Sequence, residues 1–356
     1  MKVLIIGQNV GPESGGGYFL QQRIIAALAA TAGKHELFYI STNAASSADF
    51  EKIVENTAIE FIWCIAPFYP KSSVPFAVTV WDIAHRVSPG FPEVSRTGST
   101  WEAREALYSQ CLPRATMVIT GNQRGKYELS TAYGIFNENI KVIPFPVAYQ
   151  TKETEPHNEN WTYSFEKKKY LFYPAQFWPH KNHVVLIKAL RILLDEGLQF
   201  DLVFTGSDKG NLHWVKELTQ LYNVKNYVHF LGFVPDFELI ALYKNAFAMT
   251  YASMLGPNNL PPIEAMSHDC PVICASAPGM DEQLGDAALY FSPTSPDELA
   301  RKIRYILDNY NANDLIKNGR NLVKLYSPEI YAENIIRCLD EFSAVRECWG
   351  ESYVHL

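Results

Sequence analysis

The feature that most constrains the fold of this chain is a regular alternation of short apolar runs with longer segments of helical character. The runs are hydrophobic nearly throughout, which is typical of strands covered on both faces. Helix-length patterns such as 18–30, 183–197 and 295–309 lie between them. This rhythm predicts β-α-β units around parallel sheets.

The alternation occurs in two series, and the polar stretch 150–169 (QTKETEPHNENWTYSFEKKK) separates them. The first series of runs is 3–7, 36–42, 61–66, 76–82, 116–122 and 141–145, and the second is 170–176, 200–207, 228–233, 247–253, 270–276 and 288–293. A chain of 356 residues is long enough for two cores. We therefore predict an α/β protein with two doubly wound Rossmann-like domains, 1–165 and 166–326. A C-terminal helix and tail, 327–356, can pack back on the first domain.

Composition argues against several classes of protein. The formal net charge of −7 disfavours nucleic acid as a partner, because phosphate-tracking proteins usually carry a basic excess. No window approaches the roughly 18 uninterrupted apolar residues of a membrane helix. The five-residue apolar run near the start predicts a strand instead of a signal peptide, so we expect a cytoplasmic protein. Its six cysteines are then expected to be reduced, buried thiols.

Loops that follow strands carry the candidate functional residues, because ligands of open parallel sheets bind beyond the carboxyl ends of the strands. Gly15, Gly16 and Gly17 follow the first strand and precede a helix, where the backbone can approach an anion; an ordinary flexible loop is the alternative. Lys181 stands at the entrance to a helix, where its charge opposes the helix dipole unless an anion shares the site. A solvated surface lysine is the alternative.

The stretch 256–266 (GPNNLPPIEAM) also precedes a predicted helix. Pro261 and Pro262 stiffen this start and cannot donate hydrogen bonds. The donors available there are the amides of Asn258, Asn259, Leu260 and Ile263. Glu264 is expected in the first helical turn, where it either contacts a ligand or only complements the helix dipole.

A further loop follows the strand that ends near Trp81. Asp82, His85 and Arg86 could orient hydroxyl groups or a phosphate there. An aspartate at a strand end can equally cap a turn.

These segments together resemble a known family. The segments 172–190, 228–246, 255–273 and 280–293 resemble, in order and spacing, the donor-binding half of the family 4 retaining glycosyltransferases, which have the GT-B fold. The glycine loop and 78–94 resemble the acceptor-side half, so that the resemblance covers nearly the whole chain. It implies two Rossmann-like domains facing a central cleft, and transfer of a sugar from a nucleotide-sugar donor with retention of the anomeric configuration.

The resemblance also implies roles for individual residues. Glu264 matches the glutamate that holds the donor ribose, and Lys181 matches the lysine that neutralises the diphosphate. The implied donor-binding set is Gly15, Gly16, Gly17, Gln176, Lys181, Gly206, Gly232, Phe233, Val234, Asn258, Asn259, Leu260 and Glu264, with Gly232 to Val234 near the base. Lys181, Glu264 and Asp82 are the candidate catalytic residues, and Asp82, His85 and Arg86 are the candidates for the acceptor or sugar.

Three positions depart from the family pattern. Gly256 stands where a donor-sugar glutamate is usual, Gln176 where an arginine is usual, and Trp81 where a histidine is often found. Members with this pattern are common in bacterial surface-polysaccharide synthesis, notably as mannosyltransferases. We therefore expect transfer of a hexose, mannose from GDP-mannose first, to a glycan or lipid-linked acceptor of O-antigen or capsule synthesis.

The chain contains no Asp-x-Asp motif, the usual metal-diphosphate anchor of the other major glycosyltransferase fold. We therefore expect transfer without a metal or other cofactor, from a GDP- or UDP-linked sugar. A lipid-linked acceptor would bring transient contact with the cytoplasmic membrane face. A sugar-nucleotide epimerase and a non-catalytic nucleotide-sugar-binding protein remain alternatives. A dehydrogenase is disfavoured because neither glycine-rich loop has the dinucleotide spacing.

Overall fold

The structure of this chain is a computed structural model. It describes residues 1–9, 11, 16–31, 33–42, 49–95, 100–147, 163–308 and 312–349. The chain divides into two compact units. Unit 1 comprises Met1–Pro89, Val94–Ala148 and Leu325–Leu356, and unit 2 comprises Gly90–Glu93 and Tyr149–Lys324. Residues 150–162 of the predicted connection lie outside the described residues.

The described part of unit 1 contains a parallel sheet of six strands. The strands are β1 (Lys2–Gly7), β2 (Glu36–Ser41), β3 (Phe61–Cys64), β4 (Phe76–Thr79), β5 (Met117–Thr120) and β6 (Ile140–Val142). Their order in the sheet is β2-β1-β3-β4-β5-β6. Every residue of β3, β4 and β5 is buried, as expected for parallel strands with both faces covered.

Helices connect these strands except β3 and β4, which follow each other without a helix between them. Before residue 148 the described helices are α1 (Gly16–Thr31), α2 (Asp49–Thr57), α3 (Ala84–Val87), α4 (Pro92–Ser95), α5 (Trp101–Cys111) and α6 (Gln123–Tyr133). Side chains cap two of them: Thr100 accepts from the Ala103 amide at 3.2 Å, and Asn122 accepts from the Gly125 amide at 2.8 Å.

Unit 2 contains a second parallel sheet of six strands among its described residues. The strands are β7 (Tyr170–Pro174), β8 (Asp201–Thr205), β9 (Val228–Gly232), β10 (Ala248–Tyr251), β11 (Val272–Ala275) and β12 (Ala288–Phe291). Their order is β12-β11-β10-β7-β8-β9. Consecutive strands are adjacent except for β9 and β10, which lie apart because β10 pairs with β7 at the centre of the sheet.

The helices that follow these strands cover the second sheet. They are α7 (His183–Asp195), α8 (Leu212–Leu221), α9 (Asp236–Asn245), α10 (Leu260–Ser267), α11 (Met280–Leu284), α12 (Pro296–Asp308) and α13 (Asn313–Val323). Aromatic rings fill part of the core. Phe204 lies edge-on to Tyr173 and Phe177, with centroid distances of 6.3 and 6.1 Å.

The last helix, α14 (Pro328–Arg346), belongs to unit 1. Ser327 caps its start by accepting from the Ile330 amide at 3.1 Å. The Phe342 ring lies 4.8 Å from the Phe61 ring of β3, and Arg346 forms an ion pair with Glu60. The helix therefore completes the hydrophobic core on one side of the first sheet.

The predicted strands and α/β architecture are confirmed, since each of the twelve apolar runs overlaps one of the observed strands. The prediction of six buried thiols is wrong at Cys348, which is exposed because it lies beyond the end of α14. The other five cysteines are buried. Of the helices that the structure describes, none is long and apolar enough to cross a membrane.

Truncation of Phe342 tests the contribution of α14 to unit 1. Phe342→Ala should lower stability by about 3 kcal/mol, because it removes a buried ring against Phe61 and leaves a cavity. The measurement is the urea midpoint by tryptophan fluorescence. Val345→Ala is the matched control, because Val345 is 57% exposed on the same helix. Equal midpoints for the two variants would contradict the packing role.

Candidate functional site

The turn between β7 and α7 is held firmly by hydrogen bonds. The Phe177 amide donates to the Ser207 carbonyl at 3.1 Å, which extends the β7–β8 pairing beyond the strands. Asn182 has a left-handed backbone, with φ of 54°, and its Nδ2 donates to the carbonyls of Ala252 and Pro293 at 3.3 and 2.8 Å. These contacts fix the direction in which α7 begins.

Lys181 lies in this turn at the carboxyl edge of the sheet. Its Nζ donates to the Tyr251 hydroxyl at 3.1 Å and lies 5.4 Å from the centroid of that ring. Its carbonyl accepts from the Tyr173 hydroxyl at 2.8 Å. The side chain is only partly exposed. A cation is thus held beside the start of a helix, where the dipole favours an anion.

Gly256 has a backbone that suits glycine, with φ of 110°. A Cβ at this position would lie 2.9 Å from Nδ2 and 3.0 Å from Oδ1 of Asn259. The Asn259 side chain therefore lies where a side chain at position 256 would begin. A glutamate at position 256, which is usual in the family that the sequence resembles, would therefore clash with the Asn259 side chain.

Asn259 is buried and hydrogen-bonded through both its backbone and its side chain. Its amide donates to Gln283 Oε1 at 3.0 Å, and its carbonyl accepts from Gln283 Nε2 at 2.9 Å. The Tyr251 hydroxyl donates to its Oδ1. The sequence predicts that the Asn259 amide faces a phosphate or sugar, and this stays a prediction that requires Gln283 to release the amide.

Glu264 is buried on α10, with 5% of its surface exposed. Its Oε2 accepts from the Tyr243 hydroxyl at 3.2 Å. The expectation that Glu264 lies in the first helical turn is wrong, because α10 begins at Leu260 and its first turn holds Pro261 and Pro262. Asn258 and Leu260 are partly exposed at the same helix start.

The other donor-side candidates surround the ends of β7, β8 and β9. Gly206 has φ of 134°, and a Cβ there would lie 2.5 Å from the Ala175 carbonyl oxygen, so that only glycine fits. Gln176 Oε1 accepts from the Trp178 indole at 2.9 Å. Gly232, the last residue of β9, has φ of 69°. Phe233 is 61% exposed, whereas Val234 is buried.

In unit 1, Gly15 lies outside the described residues, Gly16 begins α1, and a Cβ at Gly17 would meet Trp81 at an ordinary 3.5 Å. Asp82 accepts from the Ala84 amide at 2.9 Å and pairs with Arg104 at 3.4 Å.

The structure places His85 and Arg86 with a different carboxylate, that of Glu105. Arg86 binds both of its oxygens, and the fully buried His85 Nε2 lies 3.4 Å from Oε2. The Arg86 hydrogen bonds hold the pKa of Glu105 below its usual range, and burial lowers the pKa of His85. Of the three predicted residues, Asp82 therefore pairs with Arg104, whereas His85 and Arg86 contact Glu105.

Glu93 forms an unexpected contact next to Lys181. Within unit 2, its carboxylate accepts from the His180 amide at 2.8 Å and pairs with the His180 ring. Burial raises the pKa of Glu93, but the bonds from His180 outweigh it and bring this pKa below its usual range. His183 is fully buried, and burial with the nearby Lys181 charge lowers its pKa to about 3.

Sequence reasoning missed several of these partners. Arg104 and Glu105 lie on α5, more than fifteen positions beyond the loop that they contact, and no local pattern marks them. Tyr251 ends an apolar strand, where the sequence indicates only a core residue. Gln283 follows Gly279, whose φ of 85° marks a turn before α11. That turn is the signal that could have directed attention to the segment.

Known proteins resemble this chain in sequence over part of its length. Residues 157–322 match the family described as Glycosyl transferases group 1. O-antigen chain mannosyltransferase RfbU of Salmonella typhimurium is 28% identical over 220 residues, 62% of this chain and 58% of that protein. O-antigen chain mannosyltransferase B of Escherichia coli is 28% identical over 142 residues, 40% of this chain and 37% of that protein. The chain thus matches about a third to three fifths of these relatives' length.

Solved structures show the same fold. HepE of Anabaena, in complex with UDP and glucose, has a TM-score of 0.72 at 18% identity and covers 96% of this chain and 100% of its own. Sucrose-phosphate synthase of Thermosynechococcus elongatus has a TM-score of 0.74 at 19% identity, with 97% and 100% coverage. The predicted GT-B fold is confirmed, and the similarity to the glycosyl transferases group 1 family covers residues 157–322.

Proposed function

We propose that this protein is a retaining hexosyltransferase of bacterial O-antigen or capsule synthesis. Its first candidate donor is GDP-mannose, and its acceptor is a glycan or lipid-linked saccharide. The names of the two relatives support mannose, whereas the UDP and glucose bound to HepE keep a UDP-linked donor open. The observation that carries the proposal is the Lys181 ammonium, held beside the start of α7 by Tyr251.

The chemistry follows from charge. Departure of a nucleoside diphosphate leaves a cation-like sugar and concentrates negative charge on the phosphates, so catalysis depends on stabilising the leaving group. Lys181 and the starts of α7 and α10 supply positive potential without a metal. Front-face attack then allows the leaving phosphate to help remove the acceptor proton.

Two further roles belong to this proposal. Glu264, buried against Tyr243, accepts hydrogen bonds from the ribose hydroxyls, because a carboxylate can accept several hydrogen bonds at once. In unit 1, Asp82 orients the acceptor or sugar, since its side chain is 38% exposed. His85 is fully buried, and its Nε2 lies 3.1 Å from the Tyr133 hydroxyl oxygen. This contact helps to fix the loop that carries Asp82.

A panel of nucleotides tests the proposed function directly. GDP-mannose and GDP should raise the thermal midpoint more than UDP-glucose and UDP, because a tight ligand stabilises the folded state by mass action. With EDTA present and an acceptor saccharide added, the protein should release GDP. Conversion of the sugar nucleotide without acceptor would indicate an epimerase. Binding without release under any condition would indicate a binding protein, and a requirement for Mn²⁺ would contradict metal independence.

Removal of the Lys181 charge tests the leaving-group role. Lys181→Ala should lower kcat about 100-fold, the scale seen when one stabilising group is lost from a transition state. Lys188→Ala is the control, because Lys188 is also a partly exposed lysine and lies on α7 itself. Steady-state kinetics with the donor found above give the comparison. A near-wild-type kcat for Lys181→Ala would remove this residue from the mechanism.

We expect that position 256 does not accommodate glutamate, the residue usual in the family that the sequence resembles. Gly256→Glu and Gly256→Ala should each lower stability by roughly 1–3 kcal/mol, the cost of a strained backbone, and neither should raise activity. Gly90→Ala is the control, because no atom lies within 4 Å of a Cβ there and its φ is ordinary. Thermal unfolding measures the difference. Unchanged midpoints for both position-256 variants would show that this turn tolerates a side chain.

A further inference from the structure

A chain of hydrogen bonds runs inward from Lys181. Its Nζ donates to Tyr251, Tyr251 donates to Asn259 Oδ1, and the Asn259 backbone exchanges two bonds with the Gln283 side chain. These four residues come from four different segments: the turn before α7, the end of β10, the start of α10, and α11. This series of hydrogen bonds thus links segments that are distant in sequence.

The direction of each bond follows from the groups involved. A lysine ammonium has donors only, so the Tyr251 oxygen must accept from Lys181. Asn259 Nδ2 donates to the carbonyls of Leu255 and Gly256, at 3.3 and 3.2 Å, which makes Oδ1 the acceptor for the Tyr251 proton. Burial raises the pKa of Tyr251, so that its hydroxyl keeps this proton. One hydrogen-bond arrangement therefore satisfies the chain.

The partners along this chain are all uncharged. An aspartate or glutamate in place of Tyr251 would hold the ammonium equally well but would cancel its charge. A tyrosine hydroxyl orients the ammonium without itself placing a negative charge beside it. The hydroxyl is buried, with Tyr251 only 1% exposed, so water does not compete for this contact.

We propose that Tyr251 is a positioning residue that holds the Lys181 ammonium against the diphosphate of the nucleotide ligand, with Asn259 and Gln283 fixing the Tyr251 hydroxyl. This inference rests on the proposed function, because it takes a nucleoside diphosphate as the ligand. Lysine has four rotatable side-chain bonds, and ordering them in advance lowers the entropy cost of binding the phosphates.

Tyr251→Phe tests the role by removing one hydroxyl. GDP, or UDP if that is the nucleotide bound, should bind about tenfold more weakly by calorimetry, whereas the affinity for the nucleoside without phosphates should change less than twofold. Tyr170→Phe is the matched control. Tyr170 is fully buried in the same unit, and its hydroxyl donates to the Leu242 carbonyl at 2.6 Å, away from Lys181.

The same measurement in the Lys181→Ala background separates positioning from a general structural role. If Tyr251 acts through Lys181, Tyr251→Phe should cause no further loss of diphosphate affinity there. A tenfold loss that persists in that background, or an equal loss of nucleoside affinity, would overturn the proposal. So would wild-type diphosphate affinity for Tyr251→Phe.

The outcomes also separate this inference from the proposed function. If the wild-type protein binds neither GDP nor UDP, the proposed function fails. If it binds one of them and Lys181→Ala weakens that binding while Tyr251→Phe does not, the inference alone fails. Should Tyr251→Phe not fold, Gln283→Met removes the last hydrogen bonds of the series, those between Gln283 and the Asn259 backbone. It should weaken diphosphate binding about threefold, and an unchanged affinity would contradict the proposal.

Discussion

Because β7 and β10 run parallel and side by side, with Leu171 beside Ala248 and Phe172 beside Met249, the segments that follow them leave the sheet at the same edge. That pairing brings Lys181 and Tyr251 together although they lie 70 positions apart. Because both strands are buried, they fix the points at which these loops leave the sheet. The site is in this sense a consequence of strand order.

The order of strands explains what the sequence could and could not predict. Each apolar run marks its strand reliably, because a strand covered on both faces must be hydrophobic along its whole length. Lys181 and Glu264 are recognisable because both stand near helix starts. Gln283 and Glu105 are not, because a polar residue on a helix acquires its partner only when distant segments meet. Gly256 marks a departure in the sequence, but its positive φ and the nearby Asn259 side chain emerge only from the fold.

Arg86 in unit 1 and Lys181 in unit 2 have different kinds of hydrogen-bond partner. In unit 1, Glu105 binds Arg86 through both carboxylate oxygens, so the guanidinium charge is largely compensated. In unit 2, the Lys181 ammonium rests on a neutral hydroxyl. The Tyr251 hydroxyl therefore orients the Lys181 ammonium without itself adding a compensating charge.

The packing of α14 has a consequence for the order in which the protein can be built. The helix supplies Phe342 and Arg346 to unit 1, against Phe61 and Glu60, yet the ribosome makes it only after all of unit 2. At typical synthesis rates of roughly 5–20 residues per second, the first sheet waits about ten seconds or longer for this cover. Unit 2 is contiguous apart from residues 90–93 and can close first. The nascent chain thus carries an incompletely covered apolar face during much of its own synthesis.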